Sequence, residues 1–223
     1  MNQLKNVFFD VQSKEFKIQD KKSNAFQMLK DYIDANDNIT LPKVCDIINE
    51  AYPYLDLKIK TEIIENSIER DLCVRKIISD SILKKTKLIP LIIESCEDKF
   101  HQQLAKRIIT EMNQLIYKYN VTKINCNEVL WISNEIFLIG QVPFLFKTNK
   151  GILLVDIRTG RTNFEERIQA QQYLYEILIN ESLNDKVFQK IIINPRLDIC
   201  VQNVETPERK VLWNLKSLMS WKY

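Results

Sequence analysis

Apolar residues recur at helical spacing through the first part of the chain, and the spacing changes near residue 128. Before that point, apolar side chains return every three or four positions, as on one face of a helix. This pattern predicts five amphipathic helices, over residues 23–35, 41–51, 57–72, 74–95 and 98–119. Pro53 predicts a break after the second helix and Pro90 a break inside the fourth. The N-terminal half is therefore predicted to be helical.

Beyond residue 128 the apolar period becomes two and the runs shorten, which is typical of strands. Thr148 to Gly151 reads as a hairpin turn, because Asn149 and Gly151 can both adopt positive φ. The pattern predicts strands over 128–133, 136–147, 151–158, 187–193 and 197–204, with helices over 164–181 and 207–221. We expect an α/β or α+β core that follows a helical half, with residues 1–97 forming the helical region and 98–223 the core.

Composition fits a globular protein and excludes several classes. Apolar residues make up 45% of the 223 positions and charged residues 27%, which argues against a disordered or fibrous chain. The longest apolar runs are too short to cross a bilayer, and the first nine residues lack the apolar centre of a secretory signal. We therefore expect an intracellular, cytoplasmic protein with no membrane partner. The net charge of +3 neither requires nor excludes a polyanionic partner.

The cysteines and glycines carry different signals. The five cysteines are widely separated and form no C-x-x-C pair, which predicts buried free thiols rather than a zinc or iron–sulfur site. The three glycines, in contrast, all fall within 21 residues, at Gly140, Gly151 and Gly160. The backbone is therefore most tightly constrained in that stretch.

The same stretch contains an ordered set of polar motifs. The single histidine, His101, begins a predicted helix, and the stretch Gly140-Gln141-Val142-Pro143 lies on a predicted strand. Val155-Asp156-Ile157-Arg158-Thr159-Gly160 ends the next strand, and a helix follows with Gln169 and Tyr173 one turn apart. In order and spacing, residues 98–204 resemble the RecB-type branch of the PD-(D/E)XK nuclease superfamily. That branch has a helix with a histidine, a G-x-x-D strand, a D-x-K-T-G strand and a Q-x-x-x-Y helix.

The resemblance implies a mixed sheet flanked by helices and a metal-dependent site that acts on DNA. It implies that His101 and Asp156 bind Mg²⁺ or Mn²⁺, which would polarise the phosphate and supply hydroxide. It assigns catalytic roles to Asp156, Arg158, Gln169 and Tyr173. The chain departs from the pattern twice: Pro143 replaces the first metal-binding acid, and Arg158 replaces a lysine and cannot release a proton. We therefore expect Mg²⁺ or Mn²⁺ to bind weakly if at all.

A migrated acid could restore the missing ligand. We favour Glu166 as this third metal ligand, because it lies three residues before Gln169 on the same predicted helix face. The other acids close enough in sequence are Glu128, Glu135 and Glu165. The cysteines that carry an iron–sulfur cluster in many members of this branch are absent, since only Cys200 lies beyond residue 126; we expect no such cluster.

These features favour a DNA-binding protein of the nuclease fold that is catalytically weakened or inactive and works with a protein partner. Single-stranded DNA is the substrate that the resemblance implies. The predicted nucleic-acid-binding stripe comprises Arg75, Lys76, Lys84, Lys85 and Lys87. One alternative is an active Mg²⁺- or Mn²⁺-dependent deoxyribonuclease with a migrated acid. Another is a helical protein–protein adaptor with no role in nucleic-acid binding.

Overall fold

The computed structural model describes residues 7–10, 15–18, 43–53, 60–82, 88–93, 96–133, 137–183 and 185–220. The helices are α1 (Val44–Ala51), α2 (Thr61–Ile82), α3 (Lys99–Lys118), α4 (Glu165–Leu183) and α5 (Arg209–Ser220). The strands are β1 (Val7–Asp10), β2 (Glu15–Ile18), β3 (Lys123–Ser133), β4 (Phe137–Thr148), β5 (Gly151–Ile157), β6 (Val187–Ile193) and β7 (Val201–Asn203). The predicted helix over 23–35 lies outside the described residues.

One five-stranded sheet organises the described chain, in the order β3-β4-β5-β6-β7. β5 and β6 are parallel and are joined through α4, whereas the other neighbouring strands are antiparallel. The predicted hairpin is confirmed, with Thr148 paired with Gly151 at its closed end. A mixed sheet, surrounding helices and a helical N-terminal half confirm the predicted α/β class. A separate two-stranded sheet, β1-β2, was not predicted.

The central strand β5 is buried on both faces. Leu153, Val155 and Ile157 pack into an apolar cluster with α2 and α3. Ile152 and Leu154, which alternate with them, pack on the other face with α1, α4 and α5. A strand covered on both faces is a near-continuous apolar run, as the sequence Ile152 to Ile157 is apart from one aspartate.

Several predicted boundaries are wrong, each for a local reason. Segments 57–72 and 74–95 were predicted as two helices, but α2 runs without interruption because no proline or glycine lies between residues 61 and 82. β3 begins at Lys123 rather than residue 128, since its pairing with β4 extends to Lys147. The predicted strand 197–204 is reduced to β7, because the Leu197 amide instead closes a turn onto the Asn194 carbonyl.

The predicted boundary at residue 97 crosses a shared core. Val74, Ile77 and Ile78 of α2 lie in the same buried cluster as Ile108 and Met112 of α3. The helical half thus contributes directly to the packing of the sheet. Among the described helices, none combines the length and the apolar character that crossing a membrane requires.

The turn between β4 and β5 depends on glycine. Gly151 has a φ of +117°, and a Cβ there would lie 2.3 Å from the Lys186 carbonyl oxygen. We expect Gly151→Ala to lower the free energy of unfolding by about 2–4 kcal/mol, since the backbone strain and the clash add together. Gly160→Ala is the matched control, because its Cβ would come no closer than 3.3 Å to a neighbouring atom. Equal urea midpoints for Gly151→Ala and Gly160→Ala would contradict the requirement for glycine at this turn.

Candidate functional site

A buried carboxylate lies at the C-terminal end of β5. Asp156 is 1% exposed and lies on the sheet face that carries α4, because it is two residues after Leu154 and four after Ile152 on the same strand. Arg75 of α2 donates to its Oδ1 over 2.6 Å, and the Ile157 amide donates to the same atom over 2.8 Å. The Arg158 guanidinium lies 2.9 Å from Oδ2, close enough to form an ion pair although it is not aligned for a hydrogen bond.

The two arginines determine the charge state of Asp156. Burial alone would raise the pKa of this carboxyl, but the charges of Arg158 and Arg75 and the hydrogen bonds to Oδ1 lower it below its ordinary value. Arg75 also donates to the Ile157 carbonyl over 2.6 Å, which ties α2 to the end of β5. Asp156 is therefore ionised and is neutralised by guanidinium groups from two different elements.

Pro143 on β4 lies next to Asp156 in the sheet, at the position where the resemblance implied an acid. Phe144 pairs with Val155, so one further step along this register places Pro143 beside Asp156. Pro143 is buried and has no oxygen ligand to offer. On its other side the register places Pro143 opposite Asn127, which has a φ of 54° and belongs to no paired position. The absence of a proline N–H accounts for this gap in the ladder.

A polar chain extends from Arg158 along α4. The Arg158 guanidinium donates to Gln171 Oε1, and Gln171 donates to the Tyr175 hydroxyl over 3.0 Å. Burial and then the Asp156 charge raise the pKa of Tyr175 to about 12, so this hydroxyl stays protonated. Gln171 and Tyr175 thus supply the helix contribution to this network.

The predicted pair from the same helix lies elsewhere. Gln169 contacts Glu165 over 3.3 Å, and Tyr173 packs against the apolar cluster on the α4 face. The sequence contains the Q-x-x-x-Y spacing twice, two residues apart, and Gln171 with Tyr175 is the second copy. Sequence reasoning missed this copy, although its spacing was visible, because only the helix rotation distinguishes the two.

The segment after β5 is held by α2 and by the turn after β6. Thr159 is fully buried and both its amide and its hydroxyl donate to Asp71 Oδ1. Arg70 donates to the Thr159 hydroxyl oxygen over 2.8 Å, and Arg196 donates to the Thr159 carbonyl over 3.3 Å. Asn194, also buried, donates to the Gly160 carbonyl over 3.1 Å. These contacts bring several arginines to one end of the sheet.

A cavity of about 920 Å³ opens at that end of the sheet. Its apolar wall includes Ile63 and Ile68 of α2, which are both more than half exposed, and the ring of Phe100 at the start of α3. Among the described residues that line it, Asp71 is the one carboxylate. The described cationic residues of the lining are Arg70, Arg158, Arg161, Arg167 and Arg196.

Positive charge in this cavity is only partly compensated. Arg158 is paired with Asp156, and Arg167 is directed to the Ile48 and Tyr52 carbonyls of α1 and its C-terminal cap. Burial, followed by the charges of Arg70 and Arg161, lowers the pKa of Arg196 from its ordinary value. An arginine whose pKa is lowered by the charges of two other arginines favours an anion beside it.

A smaller cavity of about 600 Å³ lies beside β6 and β7. Its lysine, Lys190, contacts Glu176 over 2.5 Å, and Glu205 adds a second carboxylate to the described lining, so this cavity has no excess of positive charge among the described residues. The arginine-lined cavity is therefore the better candidate for a functional site.

The other predicted site residues are not gathered at Asp156. His101 Nδ1 faces Cys96 Sγ over 3.9 Å, and Glu166 lies 3.7 Å from Lys210 on the surface. His101, Asp156 and Glu166 do not form a ligand cluster within the part of the chain that the structure describes, whereas His101 forms one with Cys73 and Cys96. This cluster was unexpected, since the spacing of the cysteines predicted no metal site.

The predicted basic stripe is divided. Arg75 is engaged by Asp156 inside the fold, whereas Lys76 is exposed on the same helix. Lys84, Lys85 and Lys87 lie outside the described residues. The arginines that do converge come from α2, from the segment after β5 and from the turn after β6, and they were not predicted apart from Arg158.

Comparisons with known proteins give little further information. The chain matches no protein-family model and no curated protein. Among solved structures it is similar to the crystal structure of SSO0001, with a TM-score of 0.38 and 12% identity over 89% of this chain and 87% of that chain. A likeness of this degree carries no argument about function.

The role of Asp156 can be tested through stability. Asp156→Asn leaves two largely buried guanidinium groups without their counter-charge and should therefore destabilise the fold. If Asp156 were instead a ligand of an absent metal, the same substitution would remove an unpaired negative charge and should not destabilise it. We expect a loss of about 2–4 kcal/mol in urea unfolding at neutral pH, below the full cost for a buried pair because Arg75 and Arg158 are 23% and 20% exposed. Glu166→Gln is the control and should cost less than ~0.5 kcal/mol, since its partner Lys210 is exposed.

The pH dependence of this difference provides a second measurement. Because the folded-state pKa of Asp156 is lowered, its contribution to stability is complete above the ordinary value of 3.8. It declines as the pH falls from there through the folded-state pKa. The unfolding free energies of the wild-type chain and of Asp156→Asn should therefore converge in acid. A variant as stable as the wild-type chain at pH 7 would contradict the ion-pair assignment.

Proposed function

We propose that this chain binds single-stranded DNA in the arginine-lined cavity at the end of β5, and that it does not hydrolyse it. The observation that carries the proposal is the cluster of Arg70, Arg161 and Arg196 beside an aromatic and aliphatic wall. Phosphate oxygens match the planar donor geometry of guanidinium groups. A nucleic-acid strand would supply the anionic groups that this cluster lacks.

The apolar wall favours a nucleic acid over an inorganic anion. Proteins that bind single strands combine a cationic groove with aromatic surfaces on which bases stack. Phe100 is 46% exposed, and the Arg196 guanidinium lies 5.7 Å from the centre of its ring. A base could therefore stack on the exposed part of this Phe100–Arg196 pair while its phosphates contact Arg161 and Arg70. The cavity volume suits about one to a few nucleotides.

The environment of Asp156 argues against hydrolysis. Metal-assisted phosphodiester cleavage needs carboxylate oxygens that are open to a divalent cation. Both oxygens of Asp156 lie against guanidinium groups, and Pro143 supplies no second acid at the adjoining strand position. In DNA processing, such a chain would bind or position a strand, and a protein partner would carry out any cleavage.

Binding can be tested by fluorescence anisotropy with a labelled single-stranded oligonucleotide at several salt concentrations. If the cluster neutralises about three phosphates, the logarithm of the affinity should fall with the logarithm of salt with a slope of roughly −2. Arg161→Gln should weaken binding roughly three- to tenfold and make the slope shallower by about 0.7. Arg161 is exposed, so its replacement should leave the fold unchanged.

Lys123→Gln is the matched control, because it removes the same charge from an exposed residue. Lys123 pairs with Lys147 near the β4–β5 turn, at the opposite end of β5 from the cavity. Equal losses for Arg161→Gln and Lys123→Gln would indicate nonspecific attraction and contradict the assignment of the cavity. Competition by a mononucleotide as effective as that of the strand would instead indicate a nucleotide pocket.

Cleavage is a separate measurement. We expect no hydrolysis of labelled single-stranded or flapped DNA in Mg²⁺ or Mn²⁺, because Asp156 is held by Arg75 and Arg158. Asp156→Ala is the matched variant, checked by circular dichroism, and should be equally inert. Robust cleavage in Mg²⁺ by the wild-type chain that is absent from a folded Asp156→Ala variant would overturn the inactive assignment. It would favour the alternative of an active nuclease.

A further inference from the structure

Two cysteines and the only histidine of the chain converge where α2 meets the start of α3. Cys73 lies on α2, Cys96 precedes α3 and His101 lies in the first turn of α3. The two Sγ atoms are 2.7 Å apart, and Cys96 Sγ is 3.9 Å from His101 Nδ1. Both cysteines are free thiols, and the three donor atoms all lie within 4.8 Å of one another.

The donor set and its dimensions suit a tetrahedral soft metal. Zinc binds thiolate sulfur at about 2.3 Å and imidazole nitrogen at about 2.0–2.1 Å, so tetrahedral ligand atoms lie roughly 3.5–3.8 Å apart. The Cys96–His101 separation is already close to that range. The two sulfur atoms need to move apart by about 1 Å, which small side-chain rotations provide. Cys73 donates its thiol proton to Cys96 Sγ, and a bound cation would take the place of that proton between two thiolates.

The histidine is also oriented as a metal ligand would be. Nδ1 faces the cysteine, whereas Nε2 lies 4.0 Å from Asp98 Oδ2, within ion-pair distance but longer than a direct hydrogen bond. Metal-binding histidines are commonly oriented by a carboxylate at the nitrogen that does not bind the metal. Asp98 is itself fixed, because its Oδ1 accepts from the Phe100 and His101 amides as the N-cap of α3.

We propose that Cys73, Cys96 and His101 bind a zinc ion, with Asp98 as the residue that positions His101. Thiolate and imidazole donors select a soft transition metal over Mg²⁺ or Mn²⁺. Among the residues that the structure describes, no other histidine, cysteine or acid joins this cluster, so three of the four ligands of a tetrahedral shell are assigned. The zinc links α2 to α3.

This proposal does not rest on the proposed function and is tested without DNA. The untagged chain is used, since a histidine tag would add ligands to a protein with one histidine. After reduction and removal of metal, Co²⁺ is titrated as the probe. We expect one Co²⁺ per chain, with thiolate-to-cobalt charge-transfer absorption and the visible bands of tetrahedral cobalt, and displacement by Zn²⁺. Zinc should raise the melting temperature by ~5 °C or more.

Matched variants locate the ligands. Cys73→Ser and Cys96→Ser should each lose most of the charge-transfer absorption, whereas Cys45→Ser, which removes an exposed thiol on α1, should retain it. Asp98→Asn preserves the helix cap but should weaken Co²⁺ binding about 10–100-fold. Reduced wild-type chain that binds no Co²⁺ would overturn the site, whatever the folding of the variants. An unchanged Co²⁺ absorption spectrum in folded Cys73→Ser and Cys96→Ser variants would also overturn the site.

Discussion

The ionised Asp156 imposes the strongest constraint on this structure. A carboxylate almost without solvent exposure at the end of a central strand is tolerated only with opposite charge beside it. Arg75 approaches from a helix 81 residues earlier in the chain, and Arg158 follows two residues later on the same strand end. Because each guanidinium belongs to a different element, this pairing fixes where α2 crosses the end of β5. Packing on either face of the sheet alone would not determine that crossing.

The cavity follows from the same arrangement. Once α2 is held at the end of β5, Asp71 and Arg70 lie one turn of helix before Arg75 and meet Thr159. The buried Thr159 in turn fixes the segment that carries Arg161, and its carbonyl accepts from Arg196. Arg75 and Arg158 are paired with Asp156, whereas the arginines around Thr159 have Asp71 as the one carboxylate among the described residues of the cavity lining. The electrostatics of the core therefore leave a partly compensated cationic surface at its edge.

The apolar period and the turn residues predicted those parts of the fold that depend on residues close together in sequence. The hairpin, α4 and the doubly buried β5 follow from apolar period and from the glycine at the turn. The continuity of α2 was missed because its sequence is only weakly amphipathic, so its apolar residues do not mark one helix face from end to end. The Arg75–Asp156 contact and the Cys73–Cys96 pair were missed for another reason: they join residues far apart in sequence, which only the packing of helices brings together. The second Q-x-x-x-Y copy was visible, but its selection depended on the rotation of α4 against the sheet.

A divalent cation and a pair of guanidinium groups can satisfy the same buried carboxylate, but they differ in chemistry. A metal ion retains open coordination positions, polarises a phosphate oxygen and lowers the pKa of bound water. A guanidinium supplies fixed donors, has no coordination site and does not release its proton near neutral pH. Arg75 and Arg158 therefore supply the positive charge that the buried Asp156 needs without supplying a means of activating water. What remains accessible to a ligand is the arginine cluster around Thr159, where we propose that phosphate groups bind.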